Sequence, residues 1–196
     1  MRVADVDAIK KNHVQINKDR VVKNFTQGHR KDLRFSREIK ALRRLSGIDG
    51  VPALLAYSPA ERWLAIDLIP GTPLPENPAA PDKLFTNLRV VVENMLRCGV
   101  ARHSLPARDV IVRPDGTAGV VDFERCTLQH WRFSPIWWVA RKVTQFHLLR
   151  LIDNHAPHLL TPKEQLRLQT CYRLSKAFHR CTRWRSRLRH YYRSQP

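Results

Sequence analysis

The chain has 196 residues, enough to bury the core of one domain or of a two-lobed unit, and its hydrophobic fraction of 43% is ordinary for a globular protein. Lys and Arg number 35 against 17 Asp and Glu, a formal charge of +18. That excess says nothing of fold but implies an anionic partner: a phosphorylated surface, anionic lipid or nucleic acid. Cys98, Cys126, Cys171 and Cys181 are dispersed without a CxxC pair, which argues against zinc or a disulfide framework and for free thiols in a reducing cytoplasm. Met1 to Arg20 carries no secretory apolar run, and no window nears the roughly 20 apolar residues of a membrane span.

In chain order, His13 to Asn17 and Arg20 to Phe25 read as strands around a Lys18-Asp19 turn. Arg34 to Leu45 has apolar residues at 35, 39, 42 and 45, the spacing of an amphipathic helix with Ser36 near its start. Val51 to Tyr57 and Trp63 to Ile69 are two further strands. Pro70 to Pro81, PGTPLPENPAAP, is too rich in breakers for regular structure and marks a boundary. Leu84 to Cys98 is a second amphipathic helix, closed by Gly99. Helices are also expected over Ser134 to Asn154, Pro162 to Arg180 and Arg183 to Tyr192.

The chemistry concentrates in Val100 to Glu124, VARHSLPARDVIVRPDGTAGVVDFE. Two β-branched runs, Val110-Ile111-Val112 and Val120-Val121, flank the turn signal Pro114-Asp115-Gly116, so the segment is a hairpin. A carboxylate, Asp122, ends its second strand. A carboxylate placed straight after a buried strand costs free energy unless it is paired or holds a cation, although an Asp there also caps turns.

A strand with a Lys, a helix with a Glu, two strands, a Pro-Gly linker, a helix and this loop-hairpin-Asp follow one another. That order resembles the protein-kinase-like superfamily, and within it the small bacterial RIO-type and lipopolysaccharide-kinase-like (Kdo/heptose kinase-like) proteins. Arg102-His103-Ser104-Leu105 and Asp109-Val110-Ile111-Val112 occupy the frame of their H-G/N-D-L-x-x-x-N-x-L-V loop, and Val121-Asp122-Phe123-Glu124 that of the D-F-E or D-F-Q metal motif. Leu160 to Glu164 with the basic helical tail adds to the likeness, which spans roughly residues 14 to 190.

The resemblance implies an α+β, bilobal protein-kinase-like fold: a small sheet-plus-helix lobe over residues 1–70, a Pro-rich linker at 71–82, a reduced, mainly helical lobe at 83–170 and a basic aromatic tail at 171–196. It implies ATP and Mg²⁺ as ligands. Lys23 then contacts nucleotide phosphates and Glu38 positions that Lys; otherwise they are a strand-edge Lys and a solvated helical Glu. Asp122 would hold Mg²⁺, with Asp109 in the place of the second metal ligand or simply forming the turn before its strand. Main-chain groups from Asp67 to Ile69 would serve the adenine edge, or these letters are a plain buried strand and turn.

The departures bear on activity. Ser104 stands where the catalytic Asp belongs, and a neutral Ser cannot serve as the base, an aid worth about 10²–10⁴-fold. His103 is a substitute base or a structural hydrogen-bonder, and no Gly-rich loop covers the phosphates. The expected activity is a phosphotransferase of weakened catalysis acting on a hydroxyl of a lipid-linked sugar or protein, with a pseudokinase scaffold or a nucleic-acid-binding module as alternatives. Arg173 to Arg193 interleaves Arg with aromatics and has no acidic residue, a composition suited to an anionic membrane surface, an anionic acceptor or, second to these, RNA. A cytoplasmic location is expected, with peripheral contact to the inner face of the cytoplasmic membrane. Trp137 and Trp138 are both expected in the core of the C-terminal lobe.

Overall fold

The computed structural model describes residues 14–27, 30–74, 80–131 and 133–173. The helices expected beyond Arg173, with the Arg-rich tail, lie outside the described residues.

Strands β1 (Val14–Ile16), β2 (Arg20–Asn24), β3 (Leu54–Ser58) and β4 (Trp63–Asp67) form an antiparallel sheet in the order β1-β2-β4-β3. Pro52 offers no N–H to a sheet ladder, and β3 starts two residues after it rather than at Val51. Alternation in β2 puts Val21 and Lys23 on one face, and Val21 packs against the core. Helix α1 (Lys31–Arg44) inserts between β2 and β3. It begins before Ser36, from Arg30 in a left-handed conformation without a side-chain cap. Its buried stripe is Phe35, Glu38, Ile39, Ala41 and Leu42, so the helical period carries one carboxylate into an otherwise apolar face.

The second part is built on helix α2 (Asp82–Arg97), closed by Gly99 at φ 74°, and helix α3 (Pro135–His155). The Pro-rich stretch is not wholly irregular: Thr72–Pro73 (β5) pairs with β7 (Val110–Val112), which pairs with β8 (Ala118–Val120). A Pro is tolerated there because β5 is the sheet edge. A two-stranded sheet of β6 (Val100–Arg102) and β9 (Cys126–Leu128) brackets the hairpin; such three-residue strands offer too little alternation to be read from sequence. A further helix covers residues 162–173.

Ser134 caps α3, accepting from the Trp137 N–H at 3.4 Å, and Pro135 opens the helix. Trp137 is 7% exposed, but Trp138 is 63% exposed, which corrects the expectation that both are core residues. Neighbours on a helix point about 100° apart, so one buried stripe cannot take both. The turn after α1 meets the hairpin directly: Val120 N–H donates to the Gly50 carbonyl at 2.7 Å. A Cβ on Gly50 would lie 2.5 Å from the Ala118 carbonyl oxygen, and its φ of 80° suits Gly alone. One core cluster therefore runs from Phe25 and Phe35 through Leu88 and Met95 to Ile152 and Leu168. No described helix is long and apolar enough to cross a membrane.

Candidate functional site

The face of β2 that carries Lys23 meets the stripe of α1 that carries Glu38. The Lys23 Nζ donates to Glu38 Oε1 at 2.7 Å and lies 3.6 Å from Asp122 Oδ1. Three residues distant in sequence, on a strand, a helix and a post-hairpin loop, thus converge on one cluster. The Lys23 and Glu38 side chains are 15% and 1% exposed, whereas that of Asp122 is 41% exposed. Glu38 is the buried anchor and Asp122 the carboxylate open to an incoming group. Burial opposes the charge of Lys23, but Glu38, Asp122 and Glu124 outweigh it and hold the ammonium above its usual range.

Asp122 has φ 70°, a left-handed conformation that costs a non-Gly residue free energy, though Asp less than most. The next residue, Phe123, is fully buried, with the Arg102 guanidinium 5.7 Å from its ring centroid. This anchor fixes the carboxylates on either side of it. Glu124 was not singled out by the sequence reading, yet its carboxylate lies within 4.8 Å of those of Glu38 and Asp122. It accepts from Arg34 Nε at 2.9 Å. Arg34 precedes Glu38 by one helical turn, so the Arg34–Glu124 pair ties α1 to the end of the hairpin. The signal was present in the acidic-Phe-acidic triplet and in an Arg four residues before Glu38.

The loop between β6 and β7 departs from expectation in detail. Arg102 is 3% exposed; its guanidinium donates to Asp109 Oδ2 at 2.5 Å and to the Val121 carbonyl. Arg102 thus joins the base of the loop to the approach to Asp122. Burial pushes the Asp109 carboxyl up although Arg102 pulls it down. One Asp109 oxygen is committed to that buried pair. The Val121 N–H donates to the Asp109 carbonyl at 3.0 Å, which keeps Asp109 next to the Asp122 segment.

Ser104 is exposed on the same loop. His103 Nε2 lies 2.8 Å from Thr127 Oγ1, and burial, with Arg37 and Arg125, holds its pKa below the usual imidazole range. Its ring is thereby engaged with β9. At the end of β4 the Asp67 and Leu68 N–H groups donate to the Ala53 and Asp19 carbonyls, both at 3.1 Å. The Asp67 carboxylate accepts from the Ala53 N–H. These bonds occupy the N–H groups of Asp67 and Leu68. The Ile69 side chain packs over Gly119.

Comparison with known protein families and with characterised proteins finds no match. Solved structures do match. WbdD crystallised with a kinase inhibitor superposes with TM-score 0.50 at 19% identity, over 70% of this chain and 35% of that one. Monomeric WbdD superposes with TM-score 0.53 at 17% identity, over 78% and 38%. The fold is kinase-like. At this identity the likeness is one of fold, and the chain spans little more than a third of the length of the WbdD chains it matches. The N-terminal antiparallel sheet with α1 and the helical C-terminal part are the two halves of an α+β bilobal architecture.

Proposed function

We propose that the cluster of Lys23, Glu38 and Asp122 binds the phosphates of ATP together with Mg²⁺. The observation that carries this reading is the position of the Lys23 ammonium between a buried carboxylate and a half-exposed one, 2.7 and 3.6 Å away. Glu38 holds the ammonium in place, and the ammonium neutralises phosphate charge. The donor set also suits a hard cation: three carboxylates gather within 4.8 Å, and although Arg34 and Arg125 both pair with Glu124, the half-exposed Asp122 has only the Lys23 ammonium, 3.6 Å away, beside it. Asp122 would hold Mg²⁺, with Asp109 beside it and Glu124 within reach. The ion would supply neutralisation of the phosphate oxygens. Main-chain groups near Ile69 would face the base.

The activity we infer is slow phosphoryl transfer to a hydroxyl, on a lipid-linked sugar or a protein. Ser104 orients the acceptor without taking its proton, and loss of a general base lowers rates about 10²–10⁴-fold. A second reading, a nucleotide-binding scaffold without transfer, is favoured by the engagement of His103 with Thr127 and of Asp109 with Arg102.

Thermal unfolding with ATP, with and without Mg²⁺, tests binding. A ligand at about 100 times its Kd adds roughly 2.7 kcal/mol to stability. Mg²⁺-dependent stabilisation should vanish in Asp122→Asn while that variant stays folded. Stabilisation retained there, or none in the unaltered chain alongside salt-sensitive RNA binding, overturns the nucleotide site. Turnover that rises in Ser104→Asp supports the weakened enzyme; turnover undetectable in both supports the scaffold.

A further inference from the structure

Helix α3 has two unlike faces. Its inner face is tied to the loop strand, since the Thr144 hydroxyl donates to the Arg102 carbonyl at 2.8 Å. Its outer face near the N-terminus is bare: Ile136 is 74%, Trp138 63% and Val139 54% exposed. The segment leading into it adds Trp131 at 62% and Phe133 at 71%, their rings edge-on with centroids 5.7 Å apart. Exposed apolar residues scattered singly need no explanation, but a patch of large ones marks an interaction surface.

The charge beside this patch is of one sign. From Arg125 to Ile152 the sequence contains no Asp or Glu. Arg141 and Lys142 are exposed on the turn after Trp138, and the Lys142 ammonium sits 5.6 Å from the Trp138 ring centroid. A shallow groove lined by Phe133, Trp138, Arg97 and Arg141 joins the apolar and basic parts.

We propose that this face docks on an anionic lipid bilayer. Ile136 and Val139 enter the acyl boundary, Trp131 and Trp138 lie at the headgroup level, and Arg141 and Lys142 meet lipid phosphates. Other occupants fit less well. Nucleic acid would stack on the aromatics but leave the aliphatic Ile136 and Val139 in water. A second copy joined by a two-fold axis would set this basic patch against itself. The inference stands apart from the nucleotide reading and uses none of its residues. Because α3 also holds the Arg102 strand, the docking face is rigidly linked to the loop that carries Ser104.

The test is co-sedimentation of the full chain with vesicles of phosphatidylcholine, alone or mixed with phosphatidylglycerol. Binding to the mixed vesicles is expected, with a loss of about 100-fold in the Ile136→Asp/Trp138→Asp variant. Both side chains are exposed, so the variant should keep the unaltered melting temperature and its response to ATP. Acyl chains brominated near the headgroup should quench tryptophan fluorescence, and Trp131→Phe/Trp138→Phe should lose most of that quenching while still binding. Equal binding by the Asp variant would place the contact elsewhere and overturn the proposal. So would equal binding to neutral vesicles, or a dimer abolished by the Asp substitutions without any vesicle binding.

Discussion

Replacing Lys23 by Met should destabilise the fold far more than removing an ordinary surface charge. The Lys23 and Glu38 side chains are 15% and 1% exposed, so water cannot screen what the substitution leaves behind: a buried carboxylate with Asp122 and Glu124 close by. Breaking such a pair from one side costs about 3–5 kcal/mol. At about 2–4 °C per kcal/mol for a chain of this size, the melting temperature should fall by about 6–20 °C. Arg97→Ala is the control, since the Arg97–Glu93 pair is 71% and 62% exposed and should cost no more than about 0.5 kcal/mol. The deficit should also depend on pH. Burial and the neighbouring carboxylates raise the Glu38 carboxyl above its ordinary 4.5, and removing Lys23 raises it further. A carboxyl raised on folding binds its proton more tightly in the folded state. The penalty is therefore absent below the ordinary value and grows to its full size as pH rises through the folded one. Melting of the variant relative to the unaltered chain, at mildly acidic and at alkaline pH, checks both points. A deficit no larger than that of Arg97→Ala, or one independent of pH, would refute the reasoning.

Asp122→Gly should raise the melting temperature, because Gly adopts φ 70° without the side-chain penalty of about 1 kcal/mol, yet it should abolish any Mg²⁺-dependent stabilisation by ATP. Arg102→Met leaves the buried Asp109 with only the exposed Arg108, 3.7 Å away, and should cost about 3 kcal/mol in denaturant unfolding. Gly119→Ala should cost about 1–3 kcal/mol, since its Cβ would lie 2.8 Å from Ile69 Cγ2 and 3.3 Å from Ile111 Cβ. Ile69→Val in the same chain removes Cδ1, which the new Cβ would meet at 3.1 Å, and should recover part of the loss. Cys126 is buried, its thiol pushed up to about 12 by desolvation; peptide mapping should find Cys98 and Cys171 alkylated in the native protein and Cys126 only after unfolding.

The docking of α1 on the sheet was legible because its pattern is local. Apolar residues at 35, 39 and 42 define a stripe, and the packed helix carries Glu38 into it. The Pro114-Asp115-Gly116 turn between β-branched runs likewise announced β7 and β8. Strands β6 and β9 carried no such signal. Each has three residues, and their pairing joins positions more than twenty residues apart, so only the packed structure selects it.

For the site, the order of residue types along the chain determined which side chains to watch: Lys23, Glu38, Asp109 and Asp122. Their convergence was a tertiary matter, because the distances among β2, α1 and the hairpin are set by one shared core and not by any local period. Only that packing brought Glu124 to Arg34 and buried Arg102 against Asp109. A charge in a sequence does not reveal its desolvation, and desolvation makes Glu38 an anchor while Asp122 stays open to an incoming group. The sequence by itself determined the secondary elements with a strong period and the inventory of charged groups. The tertiary structure decided which charges are buried together, since burial depends on what the rest of the chain places around them.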